Sequence, residues 1–233
     1  MLLVGISFFM GEAFAQSTPP VIGYKAWLRA DQGIVLDGSN KVSEWQDISG
    51  NGNGFLQSDA NKRPALVNAA LGNQPAVRFD GVDDGLWGVE TMNLGRPSTV
   101  FVVYEKLANI YGYILQNSAS PAWWIHRDGF YSGNNRVRNT GSPVVSEEAV
   151  AVLTNSATGT RVHVNGSDYT QDGSQTTGAP GRLALGGGNG RDFGPTTSQV
   201  AEVIVSANAG PVQPTPSCKS ARHNPLGRYC REI

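Results

Sequence analysis

The chain has 233 residues, of which 39% are hydrophobic and 16% are charged, and its formal net charge is −1. A disordered chain carries more charge and fewer apolar residues, and a nucleic-acid-binding protein carries a basic stripe, so the composition argues against both classes. The 29 glycines and 13 prolines lie between short apolar runs, which is typical of one all-β domain with many turns.

The N-terminus predicts a signal peptide over residues 1–15. An apolar run from Leu2 to Met10 precedes Ala13-Phe14-Ala15, and signal peptidase accepts small residues at the first and third of these positions. The run is too short to span a bilayer. We therefore expect cleavage after Ala15 and a secreted protein without a membrane span. The alternative interpretation is an N-terminal strand of the core.

Short alternating runs between turn residues predict about ten to twelve strands and no helix of three turns. Residues 99–104 are apolar on both faces, which predicts a central strand. Asn165-Gly166 follows an alternating run and is the strongest short signal for a hairpin. The predicted strands lie at 26–30, 41–47, 75–79, 99–104, 111–116, 122–126, 129–132, 149–154, 161–164, 182–185 and 198–205.

The last predicted strand places Ala201, Val203 and Val205 on one face, and the composition changes after it. Prolines between residues 210 and 216 indicate an extended linker that leads to a basic tail. Cys218 and Cys230 lie in this tail, and a secreted context permits a disulfide between them. The predicted organisation is a signal peptide at 1–15, a sandwich at 16–206, and a linker with a cysteine-containing tail at 207–233.

Several sequence blocks between Tyr24 and Val205 form a recognisable series. They are Ala26–Asp31, Val42–Asn53, Arg63-Pro64 with Pro75–Asp84, Thr99–Tyr104, Val164-Asn165-Gly166 with Leu185-Gly186-Gly187, and Ala201–Val205. The series resembles the laminin-G-like jelly-roll domains of secreted bacterial proteins, which are concanavalin A-like sandwiches. This resemblance implies an all-β fold in which two antiparallel sheets form a jelly-roll sandwich. It implies no single function, because the same sandwich hosts lectins, adhesion modules, and polysaccharide hydrolases and lyases.

Catalysis would require groups that the sequence does not place together. Glycoside hydrolysis needs two carboxylates on one surface, which on a strand means acidic residues two or four apart. Glu44 and Asp47 are three apart, Glu147 and Glu148 are adjacent, and no run of the form Glu-x-Asp-x-Glu is present. A lyase needs an acid/base cluster, and His126, Arg127 and Tyr131 form the only candidate. We therefore expect a protein that is not an enzyme, with a divergent polysaccharide hydrolase or lyase as the alternative.

An acidic loop predicts a metal site. Asp80, Asp83 and Asp84 cluster at the end of a predicted strand, together with Gly81 and Gly85. A short loop of this kind can supply the several oxygen ligands that calcium requires. The alternative interpretation is that the aspartates cap the turn through hydrogen bonds to backbone N–H groups.

Two adjacent tryptophans provide the basis for a glycan-binding prediction. Sugars stack their apolar ring faces on Trp and Tyr, while polar groups fix their orientation. Trp123 and Trp124 are neighbours on a predicted strand and therefore point to opposite faces, so that Trp124 can be exposed. The alternative interpretation is that both fill the core, to which we also assign Trp27 and Trp45. The predicted glycan contacts are Trp124, His126, Tyr131, Asn135, Asn189 and Arg191.

These features together favour a secreted, non-catalytic carbohydrate-binding or adhesion module at the exterior of a bacterial cell. Its expected partner is a glycan or polysaccharide. A structural module, or one that binds an extracellular protein, is the first alternative, and the polysaccharide-active enzyme is the second. An exposed aromatic groove would favour glycan binding, whereas two carboxylates facing each other in a cleft would favour catalysis.

Overall fold

The computed structural model describes residues 23–92, 94, 97–108, 112–117, 123–126, 129–132, 135–136, 148–156, 159–168, 181–187 and 196–207. In this part of the chain there is no α-helix, and a single 3-10 turn occupies Ala60–Lys62. Consequently, no helix in these ranges is long and apolar enough to cross a membrane. The predicted signal peptide, the tail with Cys218 and Cys230, and the predicted glycan contacts Asn189 and Arg191 lie outside the described residues.

The described residues form seventeen strands, numbered here in chain order. They are β1 (Tyr24–Arg29), β2 (Ile34–Leu36), β3 (Val42–Trp45), β4 (Phe55–Leu56), β5 (Ala65–Leu71), β6 (Gln74–Asp80), β7 (Leu86–Gly88), β8 (Ser98–Lys106), β9 (Tyr113–Asn117), β10 (Trp123–His126), β11 (Gly129–Ser132), β12 (Asn135–Arg136), β13 (Ala149–Ser156), β14 (Gly159–Val164), β15 (Ser167–Asp168), β16 (Leu183–Leu185) and β17 (Thr197–Ser206).

These strands form two antiparallel sheets that pack face to face as a sandwich. The back sheet has the order β15-β14-β13-β8-β17-β6-β5, and β1 pairs with the second half of β17. The front sheet has the order β12-β11-β10-β9-β16-β7-β4-β3-β2. The predicted all-β, two-sheet antiparallel fold is confirmed. The predicted central strand is confirmed as well, because β8 lies between β13 and β17.

The core lies between the sheets because each contributes rows of paired apolar residues to it. In the back sheet one such row crosses five strands, and all its members are at most 6% exposed. In the front sheet the corresponding row is also buried. The back-sheet row is Val164, Ala151, Val102, Val203 and Leu28. The front-sheet row consists of Ile125, Leu115, Leu185 and Leu86, which are paired in this order, and of Phe55 and Trp45, which pair with each other. Removal of these side chains from water is the main stabilising term of the fold.

Two details of the back sheet depend on local backbone conformation. The predicted hairpin is confirmed, since Asn165 (φ 48°) and Gly166 (φ 79°) join β14 to β15. The predicted placement of Ala201 beside Val203 and Val205 is wrong. A register shift in β17 between Val200 and Glu202 removes Ala201 from the core between the sheets. Ala201 packs instead in a separate small cluster of aliphatic side chains.

The tryptophans assigned to the core occupy different places. Trp45 is fully buried between the sheets, as predicted. Trp27 is buried too, but its register partner is Ile204, so that it belongs to the outer surface of the back sheet. Its indole N–H donates to Glu202 at 2.7 Å, and the guanidinium of Arg29 lies 5.6 Å from the ring centroid. A hydrogen bond satisfies the polar end of this buried ring.

Candidate functional site

Nine residues stand side by side across the outer surface of the front sheet, one from each described strand. Each position is paired in register with the next, and the positions on β3, β4, β7, β16, β9 and β10 are each next to a buried residue of the front sheet. Because successive strand residues point to opposite faces, these nine positions belong to the surface that faces away from the core. We call them the outer row. In spatial order they are Val35, Glu44, Leu56, Trp87, Ala184, Gln116, Trp124, Tyr131 and Arg136.

Trp87 contributes an indole to the outer row from the short strand β7. It is half-buried, and its indole lies against the backbone of Gly85, two residues earlier in the chain. A Cβ atom added to Gly85 would lie 3.3 Å from Cη2 and 3.5 Å from Cζ2 of this indole. The missing side chain of Gly85 therefore lets the ring approach the backbone closely. The edge of the ring that carries Cη2 and Cζ2 is therefore close to Gly85, and the residue remains partly accessible to solvent.

The neighbours of Trp87 differ on its two sides. On one side Leu56 and Val35 are 39% and 36% exposed, with the half-buried Glu44 between them in the row. On the other side Ala184 and Gln116 are only 1% and 3% exposed. The Gln116 side-chain amide donates to the carbonyl of Gly187 at 3.3 Å, which satisfies a buried polar group. The outer row thus has an exposed apolar segment on one side of Trp87 and a buried segment on the other.

The predicted glycan contacts are brought together in part. Trp124 and Tyr131 are direct register partners on β10 and β11, and His126 lies two positions beyond Trp124 on β10. Asn135 is not on their face, because it pairs with Ser132, and Arg136 is the residue that pairs with Tyr131. Contact of these residues with a glycan stays a prediction.

Sequence reasoning missed Trp87. It lies on a strand of three residues, Leu86–Gly88, which is too short to show an alternating pattern. Two features of the sequence could have indicated it. The apolar Leu86 is followed by an aromatic residue, which on a strand points to the opposite face of the sheet. Gly85 has no side chain and therefore leaves room beside the aromatic ring.

The acidic loop lies where the chain passes from β6 in the back sheet to β7 in the front sheet. Asp80, Asp83 and Asp84 each offer a carboxylate oxygen, and these oxygens lie within 4.8 Å of one another. Asp80 Oδ1 accepts hydrogen bonds from the N–H groups of Val82 (2.8 Å) and Asp83 (3.4 Å), and Asp84 Oδ2 accepts from the N–H of Asp80 (3.1 Å). The loop therefore has the turn-capping hydrogen bonds of the alternative interpretation. The predicted calcium site stays a prediction.

The electrostatics of this loop centre on Asp84, which is 3% exposed. Burial raises the pKa of Asp84 to about 6, and the negative charges of Asp80 and Asp83 contribute to the increase. The hydrogen bond from the backbone N–H of Asp80 acts in the opposite direction. A bound divalent cation would favour the ionised carboxylate and would therefore compete with this proton.

Solved structures with a similar fold include a sialidase and the binding domain of a neurotoxin. The sialidase of Trypanosoma rangeli matches 82% of this chain with a TM-score of 0.55 and 15% identity, and 31% of the sialidase is covered. The binding domain of botulinum neurotoxin serotype D matches 81% of the chain with a TM-score of 0.52 and 8% identity, and 48% of that domain is covered. The chain thus spans about a third of the sialidase and about half of the neurotoxin domain.

No family model and no curated protein matches this chain. At such low identities the likeness to solved structures concerns the fold alone, which is that of a jelly-roll-like β-sandwich. The more specific resemblance to laminin-G-like domains stays a prediction. Because this fold hosts many functions, the function has to be argued from the outer row.

Proposed function

We propose that this chain is a secreted, non-catalytic module that binds carbohydrate through the outer row. The observation that carries the proposal is the half-buried indole of Trp87, which rests against Gly85 on the outer surface of the front sheet. A ring supported on one side keeps its orientation and presents apolar surface to a ligand. Sugar rings have apolar faces that stack on such an aromatic surface.

Two further observations support this proposal. The register of the front sheet sets Trp124 and Tyr131 in the same row as Trp87, so that three aromatic positions share one surface. The fold also occurs in a protein that handles sugars, because one of the similar structures is the Trypanosoma rangeli sialidase in complex with sialic acid.

A glycan array followed by affinity electrophoresis in polysaccharide gels tests the proposal. We expect the full chain to bind, and Trp87→Ala to weaken binding roughly tenfold, as expected for the loss of one aromatic stacking contact. Val150→Ala is the matched control, since Val150 is 37% exposed on the outer surface of the back sheet. Equal binding by wild type, Trp87→Ala and Val150→Ala would show that the carbohydrate does not bind at the outer row. Absence of any binding would contradict carbohydrate recognition by this chain.

Secretion is a separate part of the proposal and has its own test. The apolar run that ends in Ala13-Phe14-Ala15 supports it. When the chain is expressed in a bacterial host, we expect the protein outside the cytoplasm with Gln16 as its first residue, as determined by N-terminal sequencing. Protein that stays in the cytoplasm with an intact N-terminus would contradict secretion without affecting the binding proposal.

A second candidate function is favoured by the exposed segment beside Trp87. Val35, Leu36 and Leu56 are among the exposed large apolar residues of the described chain, and clusters of this kind mark protein-binding surfaces. An extracellular protein partner would bury these side chains. Leu56→Asp distinguishes the two functions, because it should abolish protein binding, whereas Trp87→Ala should have the larger effect on a glycan.

A further inference from the structure

The exposed apolar segment beside Trp87 includes one charged residue. Glu44 stands between Leu56 and Val35 and is the direct register partner of both, and Leu56 in turn pairs with Trp87. Directly opposed residues of antiparallel strands have their Cβ atoms about 4.5–5.5 Å apart, so that their side chains are within reach of each other. Glu44 is therefore the single charge among these four neighbouring residues, and apolar side chains adjoin it on both sides.

The carboxylate of Glu44 is not used by the fold. Among the residues that the structure describes, no group donates a hydrogen bond to it or forms an ion pair with it. The two glutamates on the outer surface of the back sheet differ, because Glu202 accepts from the indole N–H of Trp27 and Glu105 accepts from the side-chain amide of Gln199, both at 2.7 Å. Glu44 can therefore pair with a ligand without breaking a contact of the sandwich.

A ligand that covers this segment has to compensate the charge of Glu44. The residue is already half-buried, and a ligand on Trp87 and Leu56 would remove more water from it. Burial of a carboxylate is unfavourable unless a donor or an opposite charge replaces the lost water. A sugar carboxylate would add repulsion, and a hydroxyl would add one neutral hydrogen bond. An ammonium group supplies three donors and the opposite charge, and charge-assisted hydrogen bonds are about twice as strong as neutral ones.

We propose, building on the carbohydrate-binding function above, that the ligand is a chain of amino sugars with free ammonium groups. One sugar ring stacks on Trp87, the chain continues over Leu56 toward β2, and an ammonium group pairs with Glu44. Trp87 and Glu44 are two strand spacings apart, about 10 Å, so a ligand that contacts both extends across Leu56. Trp87 supplies affinity for the sugar ring, and Glu44 selects for the amine.

Oligosaccharides that differ only in acetylation test this proposal. Chitosan oligomers carry an ammonium group on each sugar, whereas chitin oligomers of the same length carry an uncharged acetamide. We expect the full chain to bind the chitosan oligomer roughly tenfold more tightly, as measured by calorimetry at a slightly acidic pH at which the amines are protonated. High salt should reduce this preference, because it screens the charged contact and leaves the stacking contact unchanged.

Three variants assign the preference to a residue. Glu44→Gln keeps the shape of the side chain without its charge, and we expect it to lose the preference while its affinity for the chitin oligomer stays within twofold of wild type. Trp87→Ala should weaken the binding of both oligomers by similar factors, because stacking does not require the amine. Asp168→Asn is the matched control, since it removes an exposed carboxylate from β15 of the back sheet and should keep the wild-type preference.

The outcomes separate this inference from the proposed function. Chitin oligomers that bind as tightly as chitosan oligomers or more tightly, or a preference that persists in Glu44→Gln, would overturn the amino-sugar inference and leave carbohydrate binding intact. An equal loss of the preference in Glu44→Gln and in Asp168→Asn would assign it to net charge and would overturn the same inference. Failure of both oligomers and of every glycan on the array to bind would overturn both proposals.

Discussion

The carboxylate of Asp47 accepts a hydrogen bond from the backbone N–H of Trp27 at 2.8 Å, although the two residues are 20 positions apart. The same carboxylate accepts hydrogen bonds from the N–H and hydroxyl of Ser49 (2.9 and 2.8 Å) and from the N–H of Asn53 (3.0 Å). The N–H of Ile48 in turn donates to the carbonyl of Trp27 at 2.8 Å. The loop therefore covers the edge of β1 that faces away from β17, and so protects an edge that could otherwise pair with other chains.

Replacement of this carboxylate should destabilise the whole sandwich. Asp47→Ala leaves several backbone N–H groups without an acceptor, and we expect the free energy of unfolding to fall by roughly 2–4 kcal/mol. Urea denaturation of wild type and variant measures the difference. Asp59→Ala is the control, because Asp59 caps only the exposed 3-10 turn through Asn61 N–H at 3.0 Å, and should cost about 1 kcal/mol or less. Equal losses in the two variants would contradict the role assigned to Asp47.

Two glycines with similar backbone conformations should differ sharply in their tolerance of a methyl group. Gly186 (φ 77°) and Gly50 (φ 85°) both lie in the left-handed region, where alanine costs about 1 kcal/mol. A Cβ at Gly186 would also overlap the ring of Phe79 in the core, whereas a Cβ at Gly50 would meet nothing within 4 Å. We expect Gly186→Ala to be at least about 2 kcal/mol less stable than Gly50→Ala in thermal or urea unfolding, because the core cannot absorb the added volume. Similar stabilities would show that Phe79 can move away.

Strands with an unbroken alternating pattern could be predicted from the sequence, and strands without one could not. Residues 75–79 alternate cleanly, and the observed β6 places Val77 and Phe79 in the core. The strand β5 (Ala65–Leu71) was missed because Ala69 has a positive φ of 49° and the register shifts between Val67 and Leu71. A bulge of this kind breaks the period-two signal that identifies a strand.

Short strands and side-chain environments depend on partners that are distant in the sequence. The three residues of β7 become a strand by pairing with β4 and β16, and residues 56 and 184 have no sequence signal that links them to Trp87.

The block Arg63-Pro64 is a similar case. The guanidinium of Arg63 donates to Asp37 at 3.0 Å and to the carbonyls of Gln57 and Ser58 at 2.9 and 3.2 Å, which the sequence alone does not indicate. By contrast, the alternation of side chains along a strand was enough to predict that the position of Trp124 faces away from the core, opposite to that of the buried Ile125.

The orientation of Trp87 can be tested without removing the ring. In Gly85→Ala the new Cβ would lie 3.3 Å from the indole, so that the ring has to shift by a few tenths of an ångström. We expect carbohydrate affinity to fall by about 1 kcal/mol, or roughly fivefold in Kd, because part of one stacking contact is lost. Gly38→Ala is the matched control, since a Cβ there would meet nothing within 4 Å. Unchanged affinity in Gly85→Ala, measured by the same gel assay, would mean that the support from Gly85 does not matter for binding.

The buried carboxyl of Asp84 should give the stability of the protein a defined dependence on pH. Its pKa is about 6 in the folded protein, while an aspartate in the unfolded chain titrates near its ordinary value of 3.8. Between these two values the folded state holds a proton that the unfolded state has lost, so the free energy of unfolding falls as pH rises from about 4 to about 6. The full shift corresponds to roughly 2–3 kcal/mol, at 1.36 kcal/mol for each pKa unit.

Asp84→Asn isolates this contribution, because the amide cannot ionise but keeps an oxygen that can accept from the N–H of Asp80. We expect the variant to match wild type near pH 4 and to exceed its stability by about 2 kcal/mol at pH 7, as measured by urea denaturation across this range. Asp83→Asn, which removes one charge from an exposed position of the same loop, is the control for net charge. The same pH dependence of the free energy of unfolding in wild type and in Asp84→Asn would contradict the burial of an ionisable Asp84. Addition of calcium at pH 7 tests the metal prediction with the same variants, because an ion held by the loop should stabilise wild type and have little effect on Asp84→Asn.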